Sequence, residues 1–528
     1  MSSFSRSQRV VKPATLSRHG VVAAQHVHAA EAGAAVLAEG GDAVDAAVAV
    51  SFAMGVLEPW MSGPAGGGAM MVWRADEQRA VPVWYGMRSP AGLDPADYPL
   101  SGDGRSSDLF PWRAVVDDRN VEGATAVAVP GLVDGIGLAH ERWGRMPWRE
   151  LLEPAIGFAR DGLDVDWYAA LIIASATRSL ARDPDAAALF LEDGRWPTIA
   201  PWTAISEQRI PFARMADTLD ALARGGRREL YEGAVGEALA RDVRDKGGSL
   251  AHADLAAYRA GFEDPLEIEA GAGRLFAVPG LTAGPTLAGT IRRLGDAGAR
   301  RALAPGERTA RLAAALGEAY AERLSTMGDN ESPQAPGCTT HFSIVDRHGN
   351  MVAMTQTLLS IFGARVVSPS TGLLLNNGIM WFDPEPGRPN ALAPGRRCLM
   401  NVCPVIGEIG ETRFAIGASG GRKILPAVAQ LALFMVEEGL DLDAAFHAPR
   451  FDFSGGPPVV ADEAMPEATL ASLRARFPVQ TTKRTPYPFA FACPAGVSRT
   501  RDVNAGATEP LSPWGDAVAE RDREDHPT

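Results

Sequence analysis

Cysteine is scarce in this sequence. The 528 residues include four cysteines, Cys338, Cys398, Cys403 and Cys493, which are widely spaced and form no CxxC pair. So few thiols at such distances argue against the disulfide framework of a secreted protein and against a thiolate zinc site. None of the four lies in a local sequence that marks a catalytic nucleophile, so thiol chemistry is not predicted.

Long apolar runs and dense basic clusters are also missing. The longest apolar stretch, from Ala46 to Leu57, is interrupted by Ser51 and is too short to span a bilayer. The N-terminal segment MSSFSRSQRVVKPATLSRHG carries charges throughout and lacks the apolar core of a secretory signal. The formal charge is −13, from 51 basic and 64 acidic residues, and no basic cluster interleaved with aromatics offers a nucleic-acid footprint. We therefore expect a cytoplasmic protein without a membrane or nucleic-acid partner.

The familiar nucleotide and metal motifs fail on spacing. The glycine run Gly66-Gly67-Gly68 lacks the GxGxxG arrangement, and GASGGRK lacks the GxxxxGK[ST] order that would hold phosphates. His26 and His28 could offer two metal ligands, but no third ligand is evident nearby. The sequence therefore predicts no metal and no organic cofactor.

What the sequence does contain is the periodicity of a layered protein. The predicted elements are Ala-rich helices on either side of Gly40-Gly41 with Asp42 capping the second, strands at 69–73 and 80–85, helices through 130–260, a hairpin of 342–346 and 351–359, strands at 398–407 and 412–417, and a helix from Leu425. The tail after Arg499 is polar and acidic, and we expect its end to be poorly ordered. Helices on both sides of strands that are distant in sequence indicate a layered αβ architecture.

One short segment, PGCTTHFSIVD at 336–346, places two hydroxyls and an imidazole at the start of a predicted strand. A threonine hydroxyl is a poor nucleophile without a neighbouring base, and chain cleavage in front of the threonine can supply that base as a free α-amine. Such an amine has a pKa of roughly 7.7 to 8.0, close enough to neutral to take up a proton. The triplet alone fits an ordinary strand start better, because threonine is common in strands.

The wider sequence changes that interpretation, because it resembles the γ-glutamyltranspeptidase family of N-terminal-nucleophile hydrolases along nearly the whole chain. The matching stretches, in order, are AEGGDAVDAAVAVSFAMGVLEPWMSGPAGGGAMMVW, VPGLVDG, LYEGAVGEALA, GGSLAHADLAAY, TTHFSIVDRHGNMVAMTQTL, LLLNNGIMWFD, CLMNVCPVI and GASGGRKI. The resemblance implies an α+β fold of four αββα layers and a proenzyme that cleaves itself between Cys338 and Thr339. Residues 1–338 would form the large subunit and residues 339–528 the small one, together one structural unit, and whether such αβ units dimerise stays open.

The resemblance also implies roles for individual residues. Thr339 corresponds to the nucleophile and its freed amine to the general base. Thr357 corresponds to a second threonine that orients Thr339, and Gly420 and Gly421 to the pair whose backbone N–H groups stabilise the oxyanion.

The departures from the family pattern concern the substrate head group. Trp381 stands where a carboxylate normally binds the α-amino group of glutamate, and the nearest acid is Asp383. Met400 and Asn401 replace a Ser-Ser pair for the α-carboxylate, and Leu359 replaces an asparagine. The family's arginine has its nearest counterpart in Arg88, two places from the aligned position, and Arg88 fits a surface role equally well. A pocket with these residues would reject a zwitterionic head, because a desolvated ammonium would have no partner.

Three readings follow. The first is an autoprocessed amidohydrolase that cleaves a small-molecule amide without an ordinary γ-glutamyl group, similar to oxamate amidohydrolases or to acylases. The second is a γ-glutamyltransferase or glutathione hydrolase in which Asp383 and Asn401 replace the missing groups. The third is an unprocessed family member without catalysis, against which the retention of Thr339 and Thr357 argues.

Overall fold

The computed structural model describes residues 10–105, 112–199, 208–327, 338–454 and 456–521. The strands within these residues are β1 (Thr15–Ser17), β2 (Val21–Ala24), β3 (Gly67–Arg74), β4 (Arg79–Tyr85), β5 (Leu100–Arg105), β6 (Arg113–Val115), β7 (Leu163–Asp164), β8 (Arg209–Ile210), β9 (Gly261–Phe262), β10 (Leu266–Ala270), β11 (Gly273–Ala277), β12 (Cys338–Val345), β13 (Met351–Leu359), β14 (Val405–Ile409), β15 (Thr412–Ser419), β16 (Phe451–Asp452), β17 (Val459–Asp462), β18 (Val479–Thr482), β19 (Cys493–Thr500), β20 (Val503–Thr508) and β21 (Asp516–Ala519). The helices are α1 (Val27–Ala38), α2 (Ala43–Leu57), α3 (Leu132–Trp143), α4 (Trp148–Asp161), α5 (Trp167–Leu180), α6 (Pro184–Phe190), α7 (Ala213–Gly225), α8 (Glu229–Glu232), α9 (Ala234–Asp245), α10 (His252–Ala257), α11 (Gly284–Leu294), α12 (Ala297–Arg301), α13 (Pro305–Thr326), α14 (Ile424–Val436), α15 (Leu442–His447) and α16 (Glu467–Arg474).

Two seven-stranded antiparallel sheets form the centre of the molecule. The first has the order β1-β20-β19-β15-β14-β11-β10, and the second has the order β21-β2-β12-β13-β3-β4-β9. Strands from both sides of residue 338 therefore lie side by side in each sheet. The sheets contact each other through β12 and β13 on one side and β15 and β19 on the other.

Helices cover the outer face of each sheet. The helix α2 packs on β12 and β13, whereas α14 packs on β14 and β15. The residues between the second sheet and its helices form one buried cluster, and those around the first sheet form another. This arrangement confirms the predicted four-layer αββα fold.

The helix α2 shows why an alanine-rich sequence suits this architecture. All of its residues are buried, because it lies between α1, α4 and the second sheet. A Cβ at Gly33 of α1 would lie 2.5 Å from Val50, so the small residue permits the close approach of the two helices. Asp42 caps α2 as predicted, accepting from the backbone N–H of Val44 at 2.8 Å.

Most predicted elements are present with bounds shifted by a few residues, but two regions differ. Residues 398–404, predicted as part of a strand, make no sheet ladder: the Cys398 N–H donates to the Met87 carbonyl (2.9 Å) and the Met400 N–H to the Leu281 carbonyl (2.8 Å). The tail after Arg499 contributes β20 and β21, one to each sheet, while its end, 522–528, lies outside the described residues. Within the described ranges, no helix has the length and apolar character needed to cross a membrane.

Candidate active site

The pairing of β12 with β13 places Thr339 at an irregularity in the second sheet. Cys338 pairs with Leu359 and Thr340 with Gln356, so Thr339 alone opposes both Thr357 and Leu358. Two residues facing one define a β-bulge, a feature that re-aims side chains and is frequent beside active sites. The structure thus brings together the two threonines singled out in the sequence, and both are buried.

The backbone next to Thr357 is strained. Leu359 has a φ of 87°, which a leucine rarely adopts, and its N–H donates to the Thr357 hydroxyl oxygen at 2.8 Å. Such conformations persist only where the surroundings enforce them, and they concentrate at functional sites. The strain therefore lies directly opposite Cys338, at the expected cleavage point.

The glycine run 66–68 has a packing role in this site. A Cβ at Gly66 would lie 2.4 Å from the Thr357 carbonyl oxygen, and a Cβ at Gly68 would lie 2.1 Å from that of Thr355. Only glycine allows the chain to approach β13 so closely. The run thus supports the strand that carries Thr357 and is not a phosphate loop.

Gly420 and Gly421 form the turn between β15 and α14. Their φ angles are 129° and 64°, and a Cβ at Gly420 would lie 3.0 Å from the Cα of Ala492. Both the conformation and the crowding require glycine at this turn.

A glutamine that the sequence analysis did not identify connects this turn to β12. Gln25 accepts a hydrogen bond from the Thr340 hydroxyl at 2.9 Å, and its amide Nε2 donates to Ser419 Oγ at 2.8 Å and to the Cys493 carbonyl at 2.6 Å. The residue after Thr339 and the residue before Gly420 are therefore joined through one side chain. The hydrogen bonds of Gln25 therefore connect the residues next to the predicted nucleophile and next to the predicted oxyanion glycines.

Ser419 itself is the central residue of a G-x-S-x-G sequence, at 417–421, which is the pattern of a hydrolase nucleophile elbow. Its side chain is buried and bonded to Gln25, and no histidine is hydrogen-bonded to it in the part of the chain that the structure describes. A serine without an adjacent base is not activated for attack. The Ser419 hydroxyl therefore helps to link the two sheets by accepting the hydrogen bond from Gln25.

His341 supports the fold and does not act as a base. The ring lies between the sheets against Gly417, with Nδ1 2.8 Å from Thr355 Oγ1 and Nε2 3.0 Å from Ser343 Oγ. Burial lowers the pKa of His341 to about 3. The imidazole is neutral at ordinary pH, and both ring nitrogens are engaged.

The predicted substrate residues lie on connected loops. The Asn377 N–H donates to the Leu358 carbonyl at 3.1 Å, and the Cys398 thiol contacts the Gly378 carbonyl oxygen at 3.4 Å. Leu359, Trp381 and Met400 are completely buried. The loops at 358–360, 376–381 and 396–401 therefore form one largely apolar wall.

A buried arginine outside the predicted set holds part of this wall. Arg323, near the end of α13, donates to the Met400 carbonyl at 2.8 Å, to Asn401 Oδ1 at 3.2 Å and to the Thr282 carbonyl at 2.7 Å. Among the described residues it has no carboxylate partner, and burial lowers its pKa to about 10. The guanidinium stays charged at neutral pH and holds Met400 through its backbone carbonyl and Asn401 through its side-chain oxygen.

Arg88 lies beside the same loops. Its backbone bridges to Val129 and Arg397, and its guanidinium carbon is 5.8 Å from the centre of the Trp84 ring. Its Nε is buried and has no hydrogen-bond partner within the described ranges. The arginine therefore offers a cation that no acid of the described chain neutralises.

Asp383 is placed less favourably for a substrate. The carboxylate accepts the Glu385 N–H at 2.9 Å and closes a turn, and burial raises its pKa. The bond uses one of the acceptor sites of the carboxyl group and fixes its orientation towards the turn.

A third residue that was not predicted from the sequence is Glu58, which follows α2. Its carboxyl group is buried against Thr340, with Oε2 3.1 Å from the threonine hydroxyl. The signal in the sequence was a single acid at the end of a long apolar helix. Of the histidine pair, His28 bonds to Glu31, and no group of three metal-ligating side chains is found among the described residues.

Comparison with known proteins agrees with this geometry. A family model described as gamma-glutamyltranspeptidase matches residues 29–338 and 332–517. The Acylase ACY 1 proenzyme of Pseudomonas sp. (strain V22) is 33% identical over 509 residues, covering 88% of each chain. The glutathione hydrolase proenzyme of Bacillus subtilis (strain 168) is 28% identical over 517 residues, covering 88% of this chain and 85% of the relative.

Solved structures share the fold. The crystal structure of cephalosporin acylase from Bacillus halodurans superposes with a TM-score of 0.84 over 98% of this chain and 99% of that chain, at 23% identity. The family match extends over both sheets and both sides of Thr339. The chain therefore belongs to the gamma-glutamyltranspeptidase family of enzymes.

Proposed function

We propose that this chain is an autoprocessing N-terminal-threonine amidohydrolase that releases an acyl group from a small-molecule amide. The observation that carries the proposal is the bulge at which Thr339 opposes Thr357. Cleavage of the Cys338–Thr339 bond would give Thr339 a free α-amine next to its own hydroxyl. That amine is the general base that a threonine nucleophile requires.

The reaction then runs in two steps through one covalent intermediate. The Thr339 amine takes the hydroxyl proton while Oγ attacks the amide carbonyl, and the proton passes to the departing amine as the carbon–nitrogen bond breaks. Water attacks the resulting ester, and its proton returns to Thr339 Oγ through the same amine. The Thr357 hydroxyl orients the nucleophile, and the N–H groups of Gly420 and Gly421 stabilise the oxyanion in both steps.

The wall of the site supports an acyl group that lacks the ammonium of a γ-glutamyl head. Trp381 and Met400 are buried and apolar, and the Asp383 carboxyl is engaged in its own turn. A substrate ammonium group would lose its hydration without gaining a partner, and this desolvation costs about 3 kcal/mol or more. The greater identity to the acylase proenzyme, 33% against 28% for the glutathione hydrolase, points the same way.

Arg88 suggests a second property of the acyl group, a carboxylate at its far end. Its guanidinium has no acidic partner among the described residues and lies over Trp84, while its backbone bridges to Arg397 of the apolar wall. An acyl chain with a carboxylate at its far end would satisfy both groups. The proposed substrates are therefore acyl amides that are apolar near the reacting carbon and can be acidic at the other end.

Self-cleavage is tested first. Denaturing electrophoresis of the purified wild-type chain should show two fragments, the smaller beginning at Thr339, whereas Thr339→Ala should remain a single chain. Thr412→Ala is the matched control, because it makes the same substitution at a partly exposed threonine of β15 that bonds to Thr500, and this variant should still be cut. A wild-type chain that stays intact, or a smaller fragment starting elsewhere, would refute the assignment.

Substrate preference is tested with p-nitroanilides that share one leaving group. Glutaryl-p-nitroanilide differs from the γ-glutamyl compound only in lacking the α-ammonium group, and hexanoyl-p-nitroanilide also lacks the carboxylate. We expect glutaryl turnover to exceed γ-glutamyl turnover at least tenfold, about the factor that 1.4 kcal/mol represents. Equal or greater γ-glutamyl turnover would favour a transferase or glutathione hydrolase with a rearranged head-group site.

A further inference from the structure

Glu58 is a buried acid at the nucleophile strand without a counter-charge. The residue is 4% exposed, and Oε2 lies 3.1 Å from Thr340 Oγ1. No arginine, lysine or histidine of the described residues pairs with it. A carboxylate retained in such a place either costs the fold considerable stability or carries a proton.

The hydrogen-bond geometry shows which of these states fits. Gln25 gives both amide hydrogens to Ser419 and the Cys493 carbonyl, so its Oε1 is the atom that faces Thr340. Turning the amide over would set two carbonyl oxygens against each other at Cys493. Its orientation is therefore fixed by Cys493, and Oε1 accepts the single hydrogen of the Thr340 hydroxyl.

With that hydrogen used, the contact between Glu58 and Thr340 needs a second one. It can come only from the carboxyl group, because a hydroxyl oxygen has no further hydrogen to give. The chain of donors then runs in one direction, from Glu58 through Thr340 and Gln25 to Ser419. It starts beside the predicted nucleophile and ends beside the Gly420–Gly421 turn.

We propose that Glu58 is a positioning residue that acts as a neutral carboxylic acid, and that its proton orders the chain which holds the Thr339 strand against the Gly420–Gly421 turn. The inference rests on the proposed function of Thr339. When Glu58 ionises, it competes for the only hydrogen of Thr340, the bond to Gln25 is lost, and the two halves of the catalytic site are no longer joined. Turnover should therefore fall on ionisation although Glu58 touches no reacting atom.

The groups around Glu58 do not supply another charge. Among the described residues, the titratable groups that interact with it are the phenol of Tyr168 in α5 and the thiol of Cys493 in β19, and burial raises the pKa of both. His26, beside Gln25, is neutral because burial lowers its pKa to about 3. Lys12 interacts with Cys493, but its amine donates to the Ser512 and Gly515 carbonyls at 2.8 and 2.6 Å.

The expected ionisation falls in an observable range. Burial raises the pKa of Glu58 to about 8, against an ordinary value of 4.5. As the pH rises, deprotonation of the Thr339 amine, whose ordinary pKa is roughly 7.7 to 8.0, should increase activity. Ionisation of Glu58 above about pH 8 should decrease it. The pH–rate profile should be a bell whose alkaline side belongs to Glu58.

The test compares Glu58→Gln and Glu58→Leu in the processed enzyme across this pH range. Glutamine still donates a hydrogen to Thr340 and cannot ionise, so its kcat should stay within about threefold of wild type and lose the alkaline decline. Leucine donates nothing, and a loosened site should lower kcat by about tenfold or more. Two results would overturn the proposal: an alkaline decline that persists in Glu58→Gln, or a glutamine variant as slow as the leucine variant.

A second readout separates this proposal from the proposed function. In full-length Thr339→Ala protein, infrared difference spectra with and without Glu58→Gln should reveal the C=O stretch of a protonated acid at neutral pH. That band should vanish as the pH rises past the Glu58 pKa. Its absence at neutral pH would refute the neutral acid even if the enzyme turns over. If the band is present but the wild-type protein shows no turnover, the protonated state of Glu58 is supported and the assignment of Thr339 is refuted.

Discussion

Replacing Glu58 by glutamine should stabilise the protein at neutral pH and have little effect in acid. The folded-state pKa of about 8 lies well above the ordinary value of 4.5, so the folded protein keeps a proton that the unfolded chain releases. Where the folded state binds more protons, the free energy of unfolding falls as pH rises. Glu58 thus contributes its full stability below the ordinary pKa and loses it progressively up to the folded value.

The size of the effect follows from these two values. Each pH unit in this window is worth roughly 1.4 kcal/mol, so the wild-type chain should lose about 2 to 3 kcal/mol of unfolding free energy from Glu58 between about pH 5 and about pH 7. Glutamine keeps the donor to Thr340 and has no proton to release. The difference between the variants should therefore grow with pH in favour of glutamine.

Urea unfolding of full-length Thr339→Ala protein, with and without Glu58→Gln, measures this difference on two single chains. Other titrating groups contribute equally to both proteins, so the difference isolates Glu58 when the urea dependence of the unfolding free energy is unchanged. Curves that remain parallel with pH would refute a raised pKa. A glutamine variant that is less stable at neutral pH would show that the carboxyl group is ionised in the folded protein.

Three further predictions concern other parts of the site. Gly420→Ala should abolish most turnover, because an alanine at a φ of 129° is strained and crowded. The control Gly439→Ala, at a φ of 72° in open space, should lower the unfolding free energy by about 1 kcal/mol without loss of activity. Assays with p-nitroanilides measure the activity, and urea unfolding measures the stability. Arg323→Leu should lower the unfolding free energy by about 2 kcal/mol or more in urea, because buried acceptors lose their donors, and Arg323→Lys should lower it less. Burial lowers the pKa of His341 to about 3, so in acid the unfolded chain binds a proton at this residue that the folded chain does not. Between about pH 6.5 and about pH 5, the unfolding free energy of wild type should therefore fall by about 2 kcal/mol more than that of His341→Asn. Equal losses would contradict a neutral buried imidazole.

The hairpin that carries Thr339 and Thr357 could be predicted from the sequence because the pattern that specifies it is local. Alternating side chains and a short polar turn define β12 and β13. The position of Thr339 opposite Thr357 adds the bulge, which the sequence did not predict, because a one-residue irregularity leaves no clear pattern. The glycine run at 66–68 directly precedes the predicted strand at 69–73, but the reason for three glycines, the close approach to β13, requires knowing which strands pair.

Residues 398–404 show why burial alone can mislead. The apolar sequence of this segment is typical of a buried strand, yet its backbone is hydrogen-bonded to two distant loops, at Met87 and Leu281. Glu58 is the opposite case: its partner Thr340 is 282 residues away in the chain. Neither environment follows from periodicity, because both depend on contacts between segments that only the folded chain brings together.

The way residues 400–401 are held explains how a site of this kind can change specificity while its chemistry stays fixed. Arg323 donates to the Met400 carbonyl and Met400 donates its N–H to Leu281, so both bonds use backbone atoms that any residue at this position would provide. The side chain at 400 can then vary without moving the backbone, whereas Gly420, whose conformation requires glycine, cannot. Changes in the proposed acyl pocket are thus separated from the proposed oxyanion turn, and selection for a new acyl group can act on the wall without disturbing the groups proposed to break the amide.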